Sequence, residues 1–276
     1  MSRQHVTLLV AGCLLLAIVA GLVARGRTRA AVAQPPTPTP LIARPALPPT
    51  PPPPPAPAPP RPHPAPLPAG GEGLGGGVPL LQADFTGLAP TDAQGLPTLP
   101  SDWTAVDLVP LVGDAEAARW GVVDGQLRQL WTGSLGAPRP DPSAALSGQA
   151  DWRDYTLQAA VYAEGNMELG LLARYQAGHY YRLRLLTDAT PVGPKVRLER
   201  VDGTQVTVLA AQEGPGYGLQ RWYRLRLTVV GRRLEGQVDD GPVLVAEDPA
   251  LAAGQVGVYG LALGDLAFDN VTVIAP

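Results

Sequence analysis

Cysteine is nearly missing: the chain has one, Cys13, and none from there to residue 276. No disulfide supports whatever folds downstream, and no thiolate is there to act as nucleophile or metal ligand. Histidine is almost as scarce. Three occur, and only His179 lies beyond residue 79, beside a turn-forming Gln176-Ala177-Gly178 where a solvated side chain is expected. No Gly-x-Ser-x-Gly elbow surrounds any serine, which removes the usual strand-to-helix nucleophile. An excess of one charge is lacking too. A formal net charge of -3 leaves no electrostatic footprint for nucleic acid. From residue 80 onward no stretch keeps a helical period, so a helical bundle is excluded.

What is present divides the chain into parts. Residues 6–24 form an uncharged apolar run that, at about 1.5 Å per residue, matches the hydrocarbon thickness of a bilayer. Three readings compete for it. Val10-Ala11-Gly12-Cys13 spells a lipobox, but the apolar run continues past Cys13 instead of closing there. Ala31-Val32-Ala33 resembles a signal-peptidase site, yet Arg25, Arg27 and Arg29 separate it from the apolar run. The reading adopted is an uncleaved signal anchor, single-pass in the cell membrane. Those arginines outnumber Arg3 and the amino terminus, which favours a cytoplasmic C-terminal side. A long translocated domain overrides flanking charge, and the following segment has the composition of an extracellular stalk, so an extracytoplasmic domain is expected. Of the chain's 33 prolines most fall between Pro35 and Pro79, followed or interrupted by GGEGLGGG, giving an extended polyproline spacer with a glycine swivel. The expected divisions are a tail at 1–5, the anchor at 6–24, a Pro/Gly-rich disordered linker at 25–79 and a folded domain at 80–276.

That domain reads as strand after strand: residues 81–85, 103–108, 120–123, 126–131, 155–163, a hairpin across 168–186, then 195–201, 204–210, 221–230, 234–238, 243–246, 255–259 and 266–274. The hairpin is the most informative. With a three-residue turn at Gln176-Ala177-Gly178, Leu169, Leu171 and Ala173 fall opposite Leu185, Leu183 and Tyr181 and make a core face. Gly170, Leu172 and Arg174 then fall opposite Arg184, Arg182 and Tyr180. The second face is therefore expected to present Arg174, Tyr180, Arg182 and Arg184 to solvent as a ligand platform, since arginine forks and tyrosine rings suit sugars and anions. A second hairpin, turning at Gly231-Arg232, sets Val229, Leu227 and Leu225 opposite Leu234, Gly236 and Val238, with Arg224 against Asp239 on the polar side. The fold class these patterns predict is all-β: an antiparallel two-sheet sandwich.

The succession Trp120, Val122, Asp124-Gly125, Leu127, then GLLARYQAGHYYRLRL from Gly170, RWYRLRLTVVGRRLEGQVDDGPVLVAED from Arg221, GQVGVYG from Gly254 and FDNVTV from Phe268 resembles the concanavalin A-like lectin/glucanase superfamily. In particular it resembles the bacterial laminin G-like and 3-keto-disaccharide hydrolase-like (DUF1080-like) jelly rolls. The resemblance implies a jelly roll whose first and last strands adjoin, with a concave sheet that binds carbohydrate or another cell-surface ligand. It also implies neighbouring Asp84 and Asp269, hard oxygen ligands that suit a structural Ca²⁺. The laminarinase pattern Glu-x-Asp-x-x-Glu is absent; Glu164 and Glu168 have neither its spacing nor its Asp. Where the keto-disaccharide hydrolases carry Asn-Ser-Gly-Ile and Tyr-Glu-Val-Gln blocks, this chain has Asn166-Met167-Glu168-Leu169-Gly170 and Tyr181-Arg182-Leu183-Arg184. No catalytic residue is legible, and the reading leans to binding. A glycoside-active hydrolase and a surface protein without ligand are the rivals: paired carboxylates facing across the concave sheet would favour the first, a featureless sheet the second.

Overall fold

A computed structural model describes residues 77–110, 116–131, 142–165, 167–261 and 265–276. The segment read as an anchor, and the linker up to residue 76, lie outside the described residues. The rest is strands: β1 (Pro79–Ala83), β2 (Thr104–Asp107), β3 (Arg119–Val123), β4 (Gln126–Trp131), β5 (Ser143–Ser147), β6 (Tyr155–Ala163), β7 (Glu168–Gln176), β8 (His179–Leu186), β9 (Val196–Asp202), β10 (Gln205–Gln212), β11 (Trp222–Val230), β12 (Arg233–Val238), β13 (Leu244–Glu247), β14 (Gln255–Leu261) and β15 (Leu266–Ile274). They form two antiparallel sheets. One has eight strands in the order β13-β12-β11-β6-β15-β4-β3, with β1 paired to β15; the other has seven in the order β10-β9-β8-β7-β14-β5-β2.

The first and last strands adjoin, as expected, through Leu81–Val273 and Ala83–Val271. Both hairpin core registers also hold: Leu169–Leu185, Leu171–Leu183 and Ala173–Tyr181 in one, Leu225–Val238, Leu227–Gly236 and Val229–Leu234 in the other. Three details differ. The β7–β8 turn is two residues, Ala177-Gly178, closed by Gln176–His179, and the extra residue is a β-bulge between Ala173 and Gln176. The β9–β10 turn is Gly203-Thr204, one residue later than read, since Asp202 pairs with Gln205. The polar pairing of Arg224 with Asp239 is made by the Arg224 backbone N–H at 2.8 Å, while its guanidinium goes to Asp240 and Asp239 takes Arg221 at 2.6 Å.

The core lies between the sheets. Leu157, Ala159 and Val161 of β6 with Leu225, Leu227 and Val229 of β11 meet Leu169, Leu171, Leu183, Leu185, Leu198, Val256 and Val258 of the other sheet, all fully buried. Each such leucine contributes about 1.5–3 kcal/mol by leaving water. Gly236 lets the layers close: a Cβ there would stand 2.7 Å from Leu183 Cδ1. The sheets differ on their outer faces. In β11 burial alternates residue by residue, the pattern of a half-solvated sheet, whereas β7 is buried from Glu168 to Arg174 and β8 from Tyr180 to Leu183. A second buried cluster, Ala144, Leu146, Leu172, Tyr180, Val201 and Tyr259, occupies the outer face of the seven-stranded sheet beside buried charged groups.

Candidate functional site

That outer face is built in rows. Ala144, Tyr259, Gly170, Arg184 and Arg197 lie side by side across β5, β14, β7, β8 and β9; Leu146, Gly257, Leu172, Arg182 and Glu199 form the next row. Glu168 adds a carboxylate beyond Gly170 on β7. Gly170 has a specific use here, because a Cβ at that point would sit 2.6 Å from the Tyr259 ring, so the ring lies across the strand. It thereby reaches Arg182, whose Cζ is 5.7 Å from the ring centroid.

Three arginines and two glutamates interlock. Arg182 Nε donates to Glu199 Oε2 at 2.5 Å and stands 3.9 Å from Glu168. Arg184 pairs with Glu168, while its Nη1 and that of Arg197 each approach Glu199 Oε1 at 3.7 Å, too far for a hydrogen bond. Burial opposes the charge on Arg182, but Tyr259, Glu199 and Glu168 outweigh it and hold its pKa above the ordinary value. Burial pushes the Tyr180 hydroxyl up to about 12, against a smaller opposing pull from Arg182, and drives Tyr259 well above the ordinary tyrosine value. Tyr259 therefore presents a neutral hydroxyl.

The network is unfinished. Tyr259 Oη, Arg184 Nε and Glu199 Oε1 are buried and have no hydrogen-bond partner. A buried polar atom left unpaired costs about 1–3 kcal/mol. Three such atoms lie on one face of the sheet, each shielded from solvent. Access is greatest over Arg184 and Arg197, whose side chains are 21% and 15% exposed against 0% for Glu199.

The four residues expected to form the platform fare differently. Arg182 and Arg184 lie within the network, and Tyr180 is beside it, stacked on Tyr175 at 5.7 Å between centroids. They are not the solvent-accessible face expected, because Glu168, Glu199, Tyr175 and Tyr259 close around them; Tyr180 and Arg182 are 2% and 7% exposed. Arg174 does not belong to the face at all. The bulge gives it φ +51 and turns its side chain away, to 1% exposure. There its five N–H donors all find acceptors: Arg153 O twice at 3.0 and 2.8 Å, Gly231 O at 2.8 Å, Leu251 O at 2.7 Å and Asp154 Oδ1 at 3.4 Å. Arg174 ties three loops together at one end of the sandwich.

The residues that sequence reasoning missed are Glu199, Arg197 and Tyr259, and Glu168 was weighed only as a catalytic carboxylate. Glu199 had a local signal, since β8–β9 pairing sets it directly opposite Arg182. Tyr259 had none, because β14 lies far along the chain from the strand it joins.

Asp84 and Asp269, the expected Ca²⁺ ligands, stand in different surroundings. Asp84 is exposed and accepts from the Thr86 N–H at 3.1 Å; Asp269 is buried and accepts from the Asn270 N–H at 2.7 Å. Among the described residues no group of three His, Cys, Asp or Glu side chains comes together, and two engaged carboxylates fall short of six to eight oxygen ligands. A cleft of about 270 Å³ lies elsewhere, lined by Asp188, Tyr223, Arg221 and Asp239 among others. Its polar groups are spent internally: Asp188 accepts from Gly216 N–H at 2.7 Å, and Arg221 covers the Tyr223 ring at 4.3 Å while pairing with Asp239.

No protein-family model matches this chain, and no curated protein does. Solved structures do. The chain is similar to a protein of unknown function with a galectin-like fold from Bacillus subtilis, at 12% identity and TM-score 0.50 over 72% of this chain and 96% of that one. It is also similar to the carbohydrate-binding module CBM66 from Bacillus subtilis, at 19% identity and TM-score 0.49 over 65% and 97%. A third is domain 4 of AbnA, a GH43 extracellular arabinanase from Geobacillus stearothermophilus solved with arabinotriose, at 9% identity and TM-score 0.46 over 72% and 93%. At such identities the likeness concerns the fold alone: a two-sheet antiparallel sandwich.

Proposed function

We propose that this chain is a membrane-anchored, extracytoplasmic binding module for carbohydrate, carried on its Pro-rich linker, with the sugar held on the outer face of the seven-stranded sheet. Within the concanavalin A-like superfamily we place it with the laminin G-like and keto-disaccharide hydrolase-like branch, on the strength of the Gly170–Leu185 segment. The observation that carries the binding site is the cluster of unpartnered buried atoms, Tyr259 Oη, Arg184 Nε and Glu199 Oε1. A sugar hydroxyl both donates and accepts, so a pyranose or furanose ring that enters beside the partly exposed Arg184 and Arg197 and parts the side chains over these atoms pairs all three. Lectin-like sandwiches accommodate such ligands on a sheet face, and this fold provides one.

The test is a glycan array probed with the full chain in detergent, beside Tyr259→Phe. Wild type retains a defined set of glycans and the variant loses them at least tenfold; an array on which neither binds anything sinks the proposal. The topology is tested separately: protease added to intact cells releases the domain if it is extracytoplasmic, and leaves it protected until lysis if the arginine-rich flank faces the cytoplasm as the charge rule favours.

A specific observation supports glycoside hydrolysis as the second reading, since Glu168 and Glu199 do share this face. They stand on strands separated by β8 and four residues out of register, opposite Leu186 and Arg182 respectively, roughly 16 Å apart at the backbone, and each is held by arginine. A glycosidase needs one carboxyl group free to give a proton. Incubation with β-glucans and 3-keto-glycosides separates the two: turnover abolished by Glu199→Gln establishes hydrolysis, and binding without turnover establishes the module.

A further inference from the structure

Arg184 and Arg197 stand directly opposite each other on β8 and β9. Like charges in that relation repel, and a fold that needs only a stable sheet gains nothing from them. The carboxylates nearby do not settle the repulsion. Glu168 is taken by Arg184 and Glu199 Oε2 by Arg182, which leaves Glu199 Oε1 shared at 3.7 Å between Arg184 and Arg197 with no hydrogen bond to either. Counting the five side chains, three guanidinium groups face two carboxylates, so one positive charge is left over.

That charge is not spread evenly. Arg182 and the two glutamates lie deep, with side chains 8%, 9% and 0% exposed, whereas Arg184 and Arg197 are the accessible members. Arg184 Nε lacks any partner. Arg197 is fixed in place by its other nitrogens, Nε donating to Pro194 O at 3.0 Å and Nη2 to Gly193 O at 2.6 Å, so it loses little side-chain freedom on binding. Two planar guanidinium groups side by side, the most exposed members of the cluster, match the oxygens of a carboxylate or sulfate.

We propose that the ligand of this site is an acidic sugar, whose carboxylate or sulfate is taken between Arg184 and Arg197 while its ring lies toward Tyr259. This rests on the carbohydrate reading above and narrows it. The neutral part of the ligand answers Tyr259 and Glu199; the anionic part answers the leftover charge.

The experiment is calorimetric titration of the full chain in detergent with four probes: a neutral gluco-oligosaccharide, an oligogalacturonate of the same length, a sulfated oligosaccharide of the same length, and inorganic sulfate. The acidic sugars are expected to bind at least tenfold more tightly than the neutral one, with the advantage shrinking as salt is raised. Whichever acidic sugar binds better identifies the anion. Arg197→Gln removes that advantage, and Arg197→Lys restores part of it. Tyr259→Phe weakens neutral and acidic sugars alike. Equal binding of neutral and acidic sugars, or an Arg197→Gln protein that keeps the acidic preference, overturns the inference while leaving the carbohydrate reading intact. Inorganic sulfate binding as tightly as the acidic sugars also overturns it, because the ring would then contribute nothing. If no sugar binds, both readings fall.

Discussion

The two faces of the seven-stranded sheet carry the same residue types in opposite states of completion. On the core side, Tyr181 gives its hydroxyl to Asp248 Oδ1 at 2.8 Å and accepts the Leu251 N–H at 3.1 Å. Across the same core, Tyr155 of β6, Tyr223 of β11 and Tyr217 of the loop before β11 are likewise satisfied, by the N–H groups of Arg174, Gly218 and Met167 respectively. On the outer side Tyr259, equally buried, has no partner for its hydroxyl. The arginines divide in the same way, Arg174 with every donor used and Arg184 with Nε left over. The other buried side-chain atoms without a partner among the described residues, Gln126 Nε2, Arg128 Nε and Gln129 Oε1, lie on β4 of the eight-stranded sheet, so within the seven-stranded sheet the unpaired atoms all fall on the outer face. The difference separates what holds the sandwich from what the sandwich holds.

The largest effect that sharpens the contrast is expected at Arg174. Arg174→Met keeps bulk but strands the carbonyls of Arg153, Gly231 and Leu251, and should cost about 3 kcal/mol or more, roughly 6–12 °C in Tm for a domain of this size. Urea denaturation measures it. A loss below about 1 kcal/mol would mean that the loop tie is decorative and that the distinction between the faces is drawn in the wrong place.

A smaller effect concerns alkaline stability. Burial holds the hydroxyls of Tyr181 and Tyr217 up to about 12, in each case against the pull of hydrogen bonds from backbone N–H groups. The sign follows from linkage: the folded state keeps these protons when the unfolded chain, titrating near pH 10, begins to lose them. Their stabilisation is full below pH 10 and disappears as pH rises through about 12. Denaturation midpoints at pH 9, 10 and 11 should fall, and Tyr217→Phe should flatten the decline; a pH-independent midpoint over this range would contradict the burial argument.

Much of this was legible in the sequence, for reasons that also mark where it stopped. Alternation along residues 221–238 and 169–185 sets register by itself, because a slip of one residue moves every core leucine to the wrong face. The Arg174 bulge was hidden by the same arithmetic: a two-residue turn plus one bulged residue gives the core register of a three-residue turn, so the pairing came out right and the direction of Arg174 wrong. β5 went unread because Ser-Ala-Ala-Leu-Ser has no β-branched or aromatic residue, yet all five residues are buried between β14 and β2. Arg182 and Arg184 were visible as a pair, but the glutamates that engage them come from β7 and from β9, and Tyr259 comes from a strand brought in by topology alone. Of the expected Ca²⁺ ligands, Asp269 lies on β15 and Asp84 just beyond the end of β1, and each accepts from a nearby backbone N–H, a side-chain geometry that strand order does not determine.

The most direct test of the two-face account pairs two conservative substitutions, Tyr181→Phe and Tyr259→Phe, each measured for melting and for affinity toward the tightest glycan found on the array. Tyr181→Phe is expected to lose about 1–3 kcal/mol of stability, because Leu251 N–H and Asp248 lose their partner, and to keep its affinity. Tyr259→Phe is expected to melt with the wild type, within about 0.5 kcal/mol, and to bind at least tenfold more weakly. Equal losses of stability at the two positions, or unchanged affinity in Tyr259→Phe, would contradict the claim that the outer face is kept unfinished for a ligand.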